Sequence, residues 1–313
     1  MQLRHLRYFV RIVEAGSFSR AAATIHVAQP ALSQQIAELE EELGVSLLHR
    51  SARGVRPTAA GETLYREAAA ILQQMEQLPG KVRSTGGEMQ GAVNLGMTST
   101  LATFLSGPLM EACRTALPKV ALRFITGHSL LIASRIEARS LDFGVVFEDE
   151  HDLTPGFLRQ PLFRQRLFFV RRKNDPDQRD AVSVTNLAEL PLVLPAHPNV
   201  TRVVLDRAFA AAGLTPNIAA EADTLLSFFS AVQSGTGHAI LPTANLSGLL
   251  GNTVLTAIPI DPPIWLTASI LLPADSSLSS AAEGVRDLFA RFVGRWLADG
   301  QMPGMEWKGD AQP

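Results

Sequence analysis

Residues 17–44, SFSRAAATIHVAQPALSQQIAELEEELG, decide the fold of the N-terminal part of the chain. Ser17 is suited to cap a short helix that begins at Phe18, and the alanines within that helix let another helix cross closely. Gln29-Pro30 opens a second helix, because proline fits the first helical turn, and Gly44 stands where a left-handed residue ends it. Two helices separated by a short break predict a helix-turn-helix.

The first turns of the second helix carry uncharged side chains that donate or accept hydrogen bonds: Gln29, Ser33, Gln34 and Gln35. Glutamine pairs best with adenine in the major groove, and a helix N-terminus also suits a phosphate. The glutamates of this helix follow at positions 38, 40, 41 and 42, where we expect them to point away from DNA. The pattern indicates a DNA recognition helix; the alternative is a solvated amphipathic helix in an unrelated bundle.

Residues 47–58, LLHRSARGVRPT, predict a small hairpin, or wing, because two short runs flank a turn that contains glycine. Arg50, Arg53 and Arg56 lie along this hairpin. Arginines on a wing beside a helix-turn-helix suit flanking phosphates or a minor groove. The alternative is a surface loop with ordinary charges.

Thr58 is suited to cap a long helix, TAAGETLYREAAAILQQMEQL, which bears one apolar stripe. The stripe consists of Leu64, Ala68, Ile71 or Leu72, Met75 and Leu78. A stripe of this length on a polar helix needs a partner, most simply the same helix of a second subunit. Pro79-Gly80 is expected to end or kink the helix, and a glycine-rich hinge is predicted over residues 84–91.

From Ala92 onward, short apolar runs alternate with longer helical patterns. Strands are predicted at 93–97, 120–126, 143–147, 192–194, 239–241 and 266–272, and helices at 101–116, 130–140, 200–212, 225–234 and 281–298. This alternation predicts an α/β fold with mainly parallel sheets. The strands and helices form two such groups, and the last strand and helix return to the first group. This arrangement resembles the two-subdomain architecture of periplasmic solute-binding proteins.

A cleft between two such subdomains is a natural ligand site. Thr98-Ser99-Thr100 is the best anion cradle in the sequence, because it follows a predicted strand and opens a predicted helix. Hydroxyls and free N–H groups at such a position suit a carboxylate or a phosphate. Simple helix capping explains the same residues equally well.

Composition and charge exclude several classes of protein. The chain has 313 residues, 46% of them hydrophobic and 19% charged, which disfavours a mainly disordered protein. Residues 1–85 hold ten basic and eight acidic residues, so this part is weakly basic, which is compatible with DNA. The uncharged run from Thr224 to Ile260 contains several glycines and prolines, so buried strands and helices are favoured over a membrane span. Since the N-terminus lacks the apolar core of a signal peptide, we expect a soluble, cytoplasmic protein with no membrane partner.

The sequence carries no catalytic or cofactor motif. The seven histidines lack the spacing of a metal site, and Gly235-Thr-Gly-His lacks the third glycine of a dinucleotide fingerprint. Cys113 has no motif that places a base beside it, so a buried apolar role is expected. Ser99 is not in a nucleophile elbow. We therefore expect no enzyme activity, no cofactor and no metal.

Two motifs carry a family resemblance. The first is LRYFVRIVEAGSFSRAAATIHVAQPALSQQIAELEEELGVSLLHRSARGVRPTAAGETLY, and the second is SGTGHAILP. The sequence resembles the LysR-type transcriptional regulators along nearly its whole length, and its N-terminal half most resembles the nitrogen assimilation control branch. The resemblance implies a winged helix-turn-helix, here residues 1–58, a linker and dimerisation helix with a hinge at 59–90, and an effector-binding domain at 91–300. The predicted subdomains span about 91–161 with 267–300, and about 162–266, and a flexible tail is predicted at 301–313.

The resemblance also implies roles for single residues. It places DNA contacts at Gln29, Pro30, Ser33 and Gln34, with wing contacts at Arg50 and Arg53. It places the effector site at Thr98, Ser99 and Thr100, and across the cleft at His128, Ser129, His197, Asn199 and Thr224. Arg202 could add a positive charge there, although a surface salt bridge is the commoner role of a single arginine. Dimerisation is expected through Leu64, Ile71, Met75 and Leu78.

We therefore predict a cytoplasmic regulator that binds double-stranded DNA as a homodimer or homotetramer. A small, anionic effector in the cleft is expected to change the placement of the DNA-binding dimers, and thereby DNA bending and contact with RNA polymerase. Three alternatives remain at this point. They are a regulator of the nitrogen-control type that needs no effector, a solute-binding protein, and an enzyme with a regulatory N-terminus.

Overall fold

The structure, a computed structural model, describes residues 1–51, 54–83, 89–151, 153, 155–176, 179–242, 254–274, 278–300 and 304–308. Arg53 and most of the predicted hinge, residues 84–88, lie outside the described residues. The described ranges form an N-terminal helical domain with a two-stranded wing, a long linker helix and an α/β region with two sheets.

The N-terminal domain is the predicted winged helix-turn-helix. Its helices are α1 (Leu3–Ala15), α2 (Phe18–Thr24) and α3 (Gln29–Leu43), and its wing is the antiparallel pair β1 (Leu48–Ser51) and β2 (Gly54–Pro57). The Ser17 hydroxyl caps α2, and Gly44 ends α3 with a φ of 67°. Both predicted signals are therefore confirmed, since few other residues adopt a positive φ without strain.

One buried face of α3 holds this domain together. Leu32, Ile36 and Leu39 are fully buried, and they pack with Phe9 and Ile12 of α1. Spacings of three and four residues place all three α3 side chains on one face of the helix. The opposite face, which includes Gln34, is left at the surface, and Gln29 is exposed because it stands in the first turn of the helix.

The linker helix α4 (Ala59–Arg83) packs along α1, where Ala68 and Leu72 contact Leu6 and Val10. Pro79-Gly80 was expected to end or kink the helix; the first of these outcomes is wrong, because the helix continues to Arg83. Proline's missing N–H would have bonded to the carbonyl of Met75. Met75 is exposed, so water can bind that carbonyl instead.

The first sheet of the α/β region contains strands from three parts of the chain. Its members are β3 (Gly91–Thr98), β4 (Val120–Gly127), β5 (Phe143–Glu148), β6 (Phe157–Arg166), β12 (Trp265–Pro273) and β13 (Met305–Trp307), in the order β13-β6-β12-β5-β3-β4. β3, β4 and β5 are parallel, and the other pairings are antiparallel. Three helices accompany this sheet: α5 (Ser99–Ala116), α6 (Ser129–Glu137) and α10 (Ser280–Ala298).

These helices cover both faces of the first sheet. Successive side chains of a strand point to opposite faces. Val145 of β5 therefore belongs to the core that includes Leu101 of α5, whereas Val146 packs with Ile132 and Ile136 of α6. This arrangement fixes the first turns of α5 and α6 at the same edge of the sheet, where the parallel strands end.

The second sheet has the order β11-β7-β10-β8-β9. Its strands are β7 (Phe168–Arg172), β8 (Leu192–Leu194), β9 (Ile218–Glu221), β10 (His238–Leu241) and β11 (Leu255–Pro259), accompanied by α7 (Val184–Ala188), α8 (Val200–Ala211) and α9 (Leu225–Ser234). β8 is parallel to β9 and β10, whereas β7 and β11 are antiparallel to their neighbours. The expectation of mainly parallel sheets is therefore wrong, because the strands that cross between the two sheets pair antiparallel. The helices and strands predicted from the sequence in this region are confirmed to within a few residues at their ends.

The chain crosses between the two sheets at positions that differ from the predicted subdomain boundaries. β6 stays in the first sheet to Arg166, beyond the predicted boundary at 161, and β12 begins there at Trp265. β6 itself escaped prediction because several arginines and Pro161 interrupt its alternation. Pro161 stands beside the irregularity in the pairing with β12, where a missing N–H is tolerated.

The tail prediction also needs correction. Residues Met305–Trp307 form β13 and pair with β6, so this part of the predicted flexible tail is an ordered edge strand. The uncharged run from Thr224 contributes α9, β10 and β11 to the second sheet and its cover. None of the helices in the described ranges is long and apolar enough to cross a lipid bilayer.

Cys113 lies on the buried face of α5, and only 3% of its surface is exposed. Burial disfavours the charged thiolate and raises the pKa of the Cys113 thiol to about 11. At pH 8, only about one thiol in a thousand is then ionised, and the thiolate is the reactive form.

We predict that Ellman's reagent at pH 8 leaves folded protein almost unlabelled and reacts at once in denaturing urea. The matched control is Thr115→Cys in a Cys113→Ala background, because Thr115 is exposed on the same helix. The control variant should react while folded. Immediate labelling of Cys113 in the folded wild type would contradict its placement in the core.

Candidate functional site

The start of α3 presents a polar surface to solvent. Gln29, Pro30 and Gln34 are exposed, and Ser33 is half-buried. The N-cap residue, Ala28, has no side chain that could bind the first N–H groups of the helix. These backbone donors are therefore open to an anion such as a phosphate.

Arg50 of the wing reaches back to α3. Its Nη1 donates a hydrogen bond to the Ser33 hydroxyl at 3.2 Å, and its Nη2 lies 3.6 Å from the carboxylate of Glu40. Its guanidinium also lies 4.8 Å from the centre of the Phe18 ring. Arg50, the predicted wing contact, thus stands beside Ser33, a predicted recognition residue, so wing and helix form one continuous surface.

The sequence pattern predicts that the glutamates of α3 point away from that surface, but Glu38 and Glu40 contact residues that belong to it. Glu40 accepts hydrogen bonds from the N–H groups of Leu47, at 2.7 Å, and Leu48, at 3.2 Å, and so anchors the first strand of the wing. Glu38 accepts hydrogen bonds from the side-chain amides of Gln34 and Gln35. The expectation is wrong for Glu38 because an α-helix brings residues three and four positions apart together, and for Glu40 because the wing folds back against the helix there.

The apolar stripe of α4 divides into two parts. Ile71, Met75 and Leu78 are 40%, 44% and 54% exposed, and their spacing places them on one face of the helix. Leu64 is partly buried against the N-terminal domain of its own chain, together with Tyr65. Leu64 is one of the predicted dimerisation residues, and this packing occupies it within the chain.

A cavity of about 430 Å³ lies between the two sheets. Its walls contain every predicted effector residue except Arg202, namely Thr98, Ser99, Thr100, His128, Ser129, His197, Asn199 and Thr224. Apolar side chains complete the lining: Phe147, Leu225, Phe228, Ile240 and Leu241. Sequence reasoning missed this apolar wall, because its members look like ordinary core residues of strands and helices.

Four helices begin at the cavity: α5, α6, α8 and α9. Three of them have a side-chain cap. His128 Nδ1 accepts from the N–H of Leu131 at 3.3 Å. Asn199 Oδ1 accepts from Thr201 at 2.9 Å, and Thr224 Oγ1 accepts from Ser227 at 3.2 Å. Helix N-termini carry partial positive charge, so their convergence makes the cavity electropositive.

The N-terminus of α5 differs from the other three. Thr98 is its N-cap residue, but the side chain makes no capping hydrogen bond. The Thr98 hydroxyl is buried and has no hydrogen-bond partner in the described part of the chain. Capping was one explanation of Thr98-Ser99-Thr100, and the structure does not support it for Thr98. Ser99 and Thr100, which follow it, line the cavity, so their N–H groups and hydroxyls are open to a ligand.

Charged side chains are scarce in the cavity. Its described lining contains no lysine or arginine. Asp223, which is exposed, contributes a carboxylate to the lining. His197 Nε2 lies 2.9 Å from a carboxylate oxygen of Asp206, outside the lining. Ser129 donates its hydroxyl to the carbonyl of Phe147 at 2.7 Å. Backbone dipoles and hydroxyl groups, rather than cationic side chains, therefore supply the positive potential.

The suggested role of Arg202 in the cavity needs correction. The residue is largely buried, and its guanidinium binds Asp206 at 3.0 Å and Glu221 at 2.7 Å. It also donates a hydrogen bond to the carbonyl of Pro195 at 3.1 Å. Arg202 thus supports the cavity loop that begins at Pro195 and does not line the cavity. Among the described residues, no group of three or more His, Cys, Asp or Glu side chains could hold a metal ion.

Comparisons with known proteins identify the two domains in which these candidate sites lie. Residues 3–62 match the bacterial regulatory helix-turn-helix protein, lysR family, and residues 86–293 match the LysR substrate binding domain. The nitrogen assimilation regulatory protein Nac of Escherichia coli (strain K12) is 36% identical to the chain over 296 residues, which cover 94% of this chain and 95% of that protein.

Two solved structures show the same fold. The crystal structure of CbnR, a LysR family transcriptional regulator, matches with a TM-score of 0.69 and 20% identity, covering 94% of this chain and 99% of that one. Full-length CbnR complexed with its target DNA matches with a TM-score of 0.66, at the same identity and coverage. Since the two family models match most of the chain and a relative is 36% identical over 94% of it, the chain belongs to the LysR family of transcriptional regulators.

Proposed function

We propose that this regulator reads double-stranded DNA with the start of α3 and with the wing. The observation that carries this proposal is the continuous polar surface formed by Gln29, Ser33, Gln34 and Arg50. Glutamine and serine side chains suit base edges, and arginine suits the phosphates beside them. The DNA complex of CbnR, a protein of the same fold, supports the proposal. Since bacterial DNA lies in the cytoplasm, we infer that the protein works there.

The exposed part of the α4 stripe supports dimerisation. Ile71, Met75 and Leu78 form an apolar strip on a helix that otherwise presents polar side chains. The same strip of a second subunit is its simplest cover, and the resulting two-fold dimer would bring two recognition helices to two half-sites. We infer that two such dimers associate into a homotetramer, as the family resemblance implies.

We infer that the cavity binds a small monoanionic effector. The uncapped start of α5 offers N–H groups and the hydroxyls of Ser99 and Thr100, while Phe147 and Phe228 provide an apolar wall. Asp223 would repel a second negative charge, which favours a monoanion over a dianion. A ligand held between the two sheets acts only by binding one assembly state more tightly than another. That shift would alter DNA bending and contact with RNA polymerase.

The relationship to Nac favours one pathway. We propose that the target genes serve nitrogen assimilation, because this chain and the E. coli protein are 36% identical over nearly their whole lengths. Mapping of bound sites across the genome tests this assignment. Sites beside genes unrelated to nitrogen would contradict it and leave DNA reading intact. A regulator that needs no effector remains the alternative, in which the cavity has only a structural role.

Single side chains at the start of α3 should determine base reading. Gln29→Ala and Ser33→Ala should each weaken binding to the native DNA site by about 1–3 kcal/mol, which is the value of one good hydrogen-bonded pairing with a base edge. Binding to random DNA should change much less, because phosphate contacts dominate there. Fluorescence anisotropy with both duplexes measures the difference.

Gln74→Ala is the matched control, because Gln74 is exposed on α4, away from the reading surface. It should leave both affinities unchanged. If both α3 variants bind the native site as tightly as the wild type does, α3 is not the recognition helix.

The exposed strip of α4 should hold the dimer together. The double variant Ile71→Glu, Met75→Glu should be monomeric in sedimentation and should lose binding to a DNA site with two half-sites, because four buried carboxylates would face one another across the dimer. Leu226→Glu is the control, since Leu226 is 70% exposed on α9. A double variant that remains dimeric would exclude this interface.

The Ser99 hydroxyl should contribute to ligand binding in the cavity. Ser99→Ala should weaken binding of a responsive small carboxylate, found by screening a panel from acetate to benzoate, by about 0.5–3 kcal/mol. Melting temperature should stay the same, because the Ser99 hydroxyl caps no helix. Titration calorimetry and a melting curve measure the two quantities.

Ser279→Ala provides the opposite control. Ser279 caps α10 through the N–H of Ala282 at 3.2 Å, far along the chain from the cavity residues. Its loss should lower the melting temperature and leave ligand affinity unchanged. If Ser99→Ala behaves in the same way, Ser99 has a structural role and does not bind the effector.

A further inference from the structure

Glu38 binds two glutamines of the recognition helix at once. One carboxylate oxygen accepts from Nε2 of Gln34 at 3.0 Å, and the other accepts from Nε2 of Gln35 at 2.7 Å. A carboxylate has no hydrogen to donate, so only the N–H₂ end of each amide can face it. The chemistry of Glu38 therefore determines which way round both amides point.

The two glutamines differ in what they leave for a ligand. The carbonyl oxygen of Gln35 is buried and has no partner among the described residues. Gln34 is exposed at the start of α3, and its carbonyl oxygen is the end of the amide that faces away from Glu38. Gln34 thus presents an acceptor on the surface that also carries Gln29 and Ser33.

An acceptor on this surface has a definite set of complements in the major groove. Adenine N6 and cytosine N4 are the exocyclic donors there, whereas guanine O6 and thymine O4 accept. A glutamine free to rotate its amide could offer either end to a base and would lose conformational freedom on binding. Held by Glu38, Gln34 has its polarity set before DNA arrives, which lowers the cost of binding.

We propose that Glu38 is a positioning residue for sequence recognition, which fixes Gln34 so that it selects a base with an exocyclic amino group, adenine or cytosine. This inference rests on the proposed function of α3 as the recognition helix. Glu38 itself touches no base. It acts through the orientation of the Gln34 amide, at the expense of one negative charge close to the DNA.

The experiment begins with selection of a duplex from a randomised pool by the full-length wild-type protein. Affinities are then measured for the selected duplex, for a random duplex, and for duplexes with every single base-pair change. The base pair at which Gln34→Ala loses discrimination is the pair that Gln34 reads. At that pair, Glu38→Ala should lower discrimination about five- to tenfold, within the range of one good bidentate pairing.

Glu41→Ala is the matched control, because Glu41 is an exposed glutamate of the same helix. Both variants remove one negative charge, so both should bind random DNA slightly more tightly, Glu38→Ala somewhat more because Glu38 is closer to the reading surface. Only Glu38→Ala should lose discrimination, and it should have no further effect in the Gln34→Ala background. Melting temperatures of the two variants should match, since both side chains are exposed.

Three results would overturn the inference. In the first, Glu38→Ala discriminates between base pairs as well as Glu41→Ala does. In the second, Gln34→Ala loses no discrimination at any base pair. In the third, Glu38→Ala still lowers discrimination in the Gln34→Ala background. In each case the wild type has selected a sequence, so DNA reading by the protein stands. Failure of the wild type to select any sequence would instead contradict the proposed function.

Discussion

The carboxylate of Glu40 is the constraint on which the proposed DNA-reading surface depends. It accepts the N–H groups of Leu47 and Leu48, where the chain leaves α3 and enters the wing, and it also lies near the guanidinium of Arg50. Hydrogen bonds to a charged acceptor are the stronger kind, and the backbone donors at this turn need partners. This side chain, together with the packing of Leu47 and Leu48 in the core of the domain, holds the wing against α3. Arg50 is thereby held beside Ser33.

The cavity follows a different principle, in which backbone supplies the charge. Parallel strands end at one edge of each sheet, so the helices that follow them begin at the same edge. α6 extends this geometry beyond the cavity. It starts there with His128 and Ser129, and its later residues Ala133 and Glu137 line a groove shared with Arg66 of α4. One short helix therefore lies between the candidate effector site and the candidate dimerisation helix.

Some features of the site could be predicted from local sequence, and others could not. The polar start of α3 and the hydroxyls of residues 98–100 were visible because neighbours in sequence stay neighbours in a helix turn. Arg202 was misplaced, since its partners Asp206 and Glu221 neutralise it within the second subdomain. The contacts of Glu40 with Leu47 and Leu48 cross a turn whose direction no periodicity reveals. Leu64 and Ile71 share one predicted stripe, yet the first packs within its own chain.

The sequence by itself determined the element types, the helix ends at Ser17 and Gly44, and the family, because propensity, capping and motif spacing are local properties of the chain. Only the tertiary structure decided which polar groups have partners. Three of the four helices at the cavity have a side-chain cap, whereas the Thr98 hydroxyl has no hydrogen-bond partner among the described residues. The amide of Gln34 is turned toward Glu38. The physical reason is that a hydrogen bond depends on the distance and direction between two groups in space, which composition and spacing along the chain do not specify.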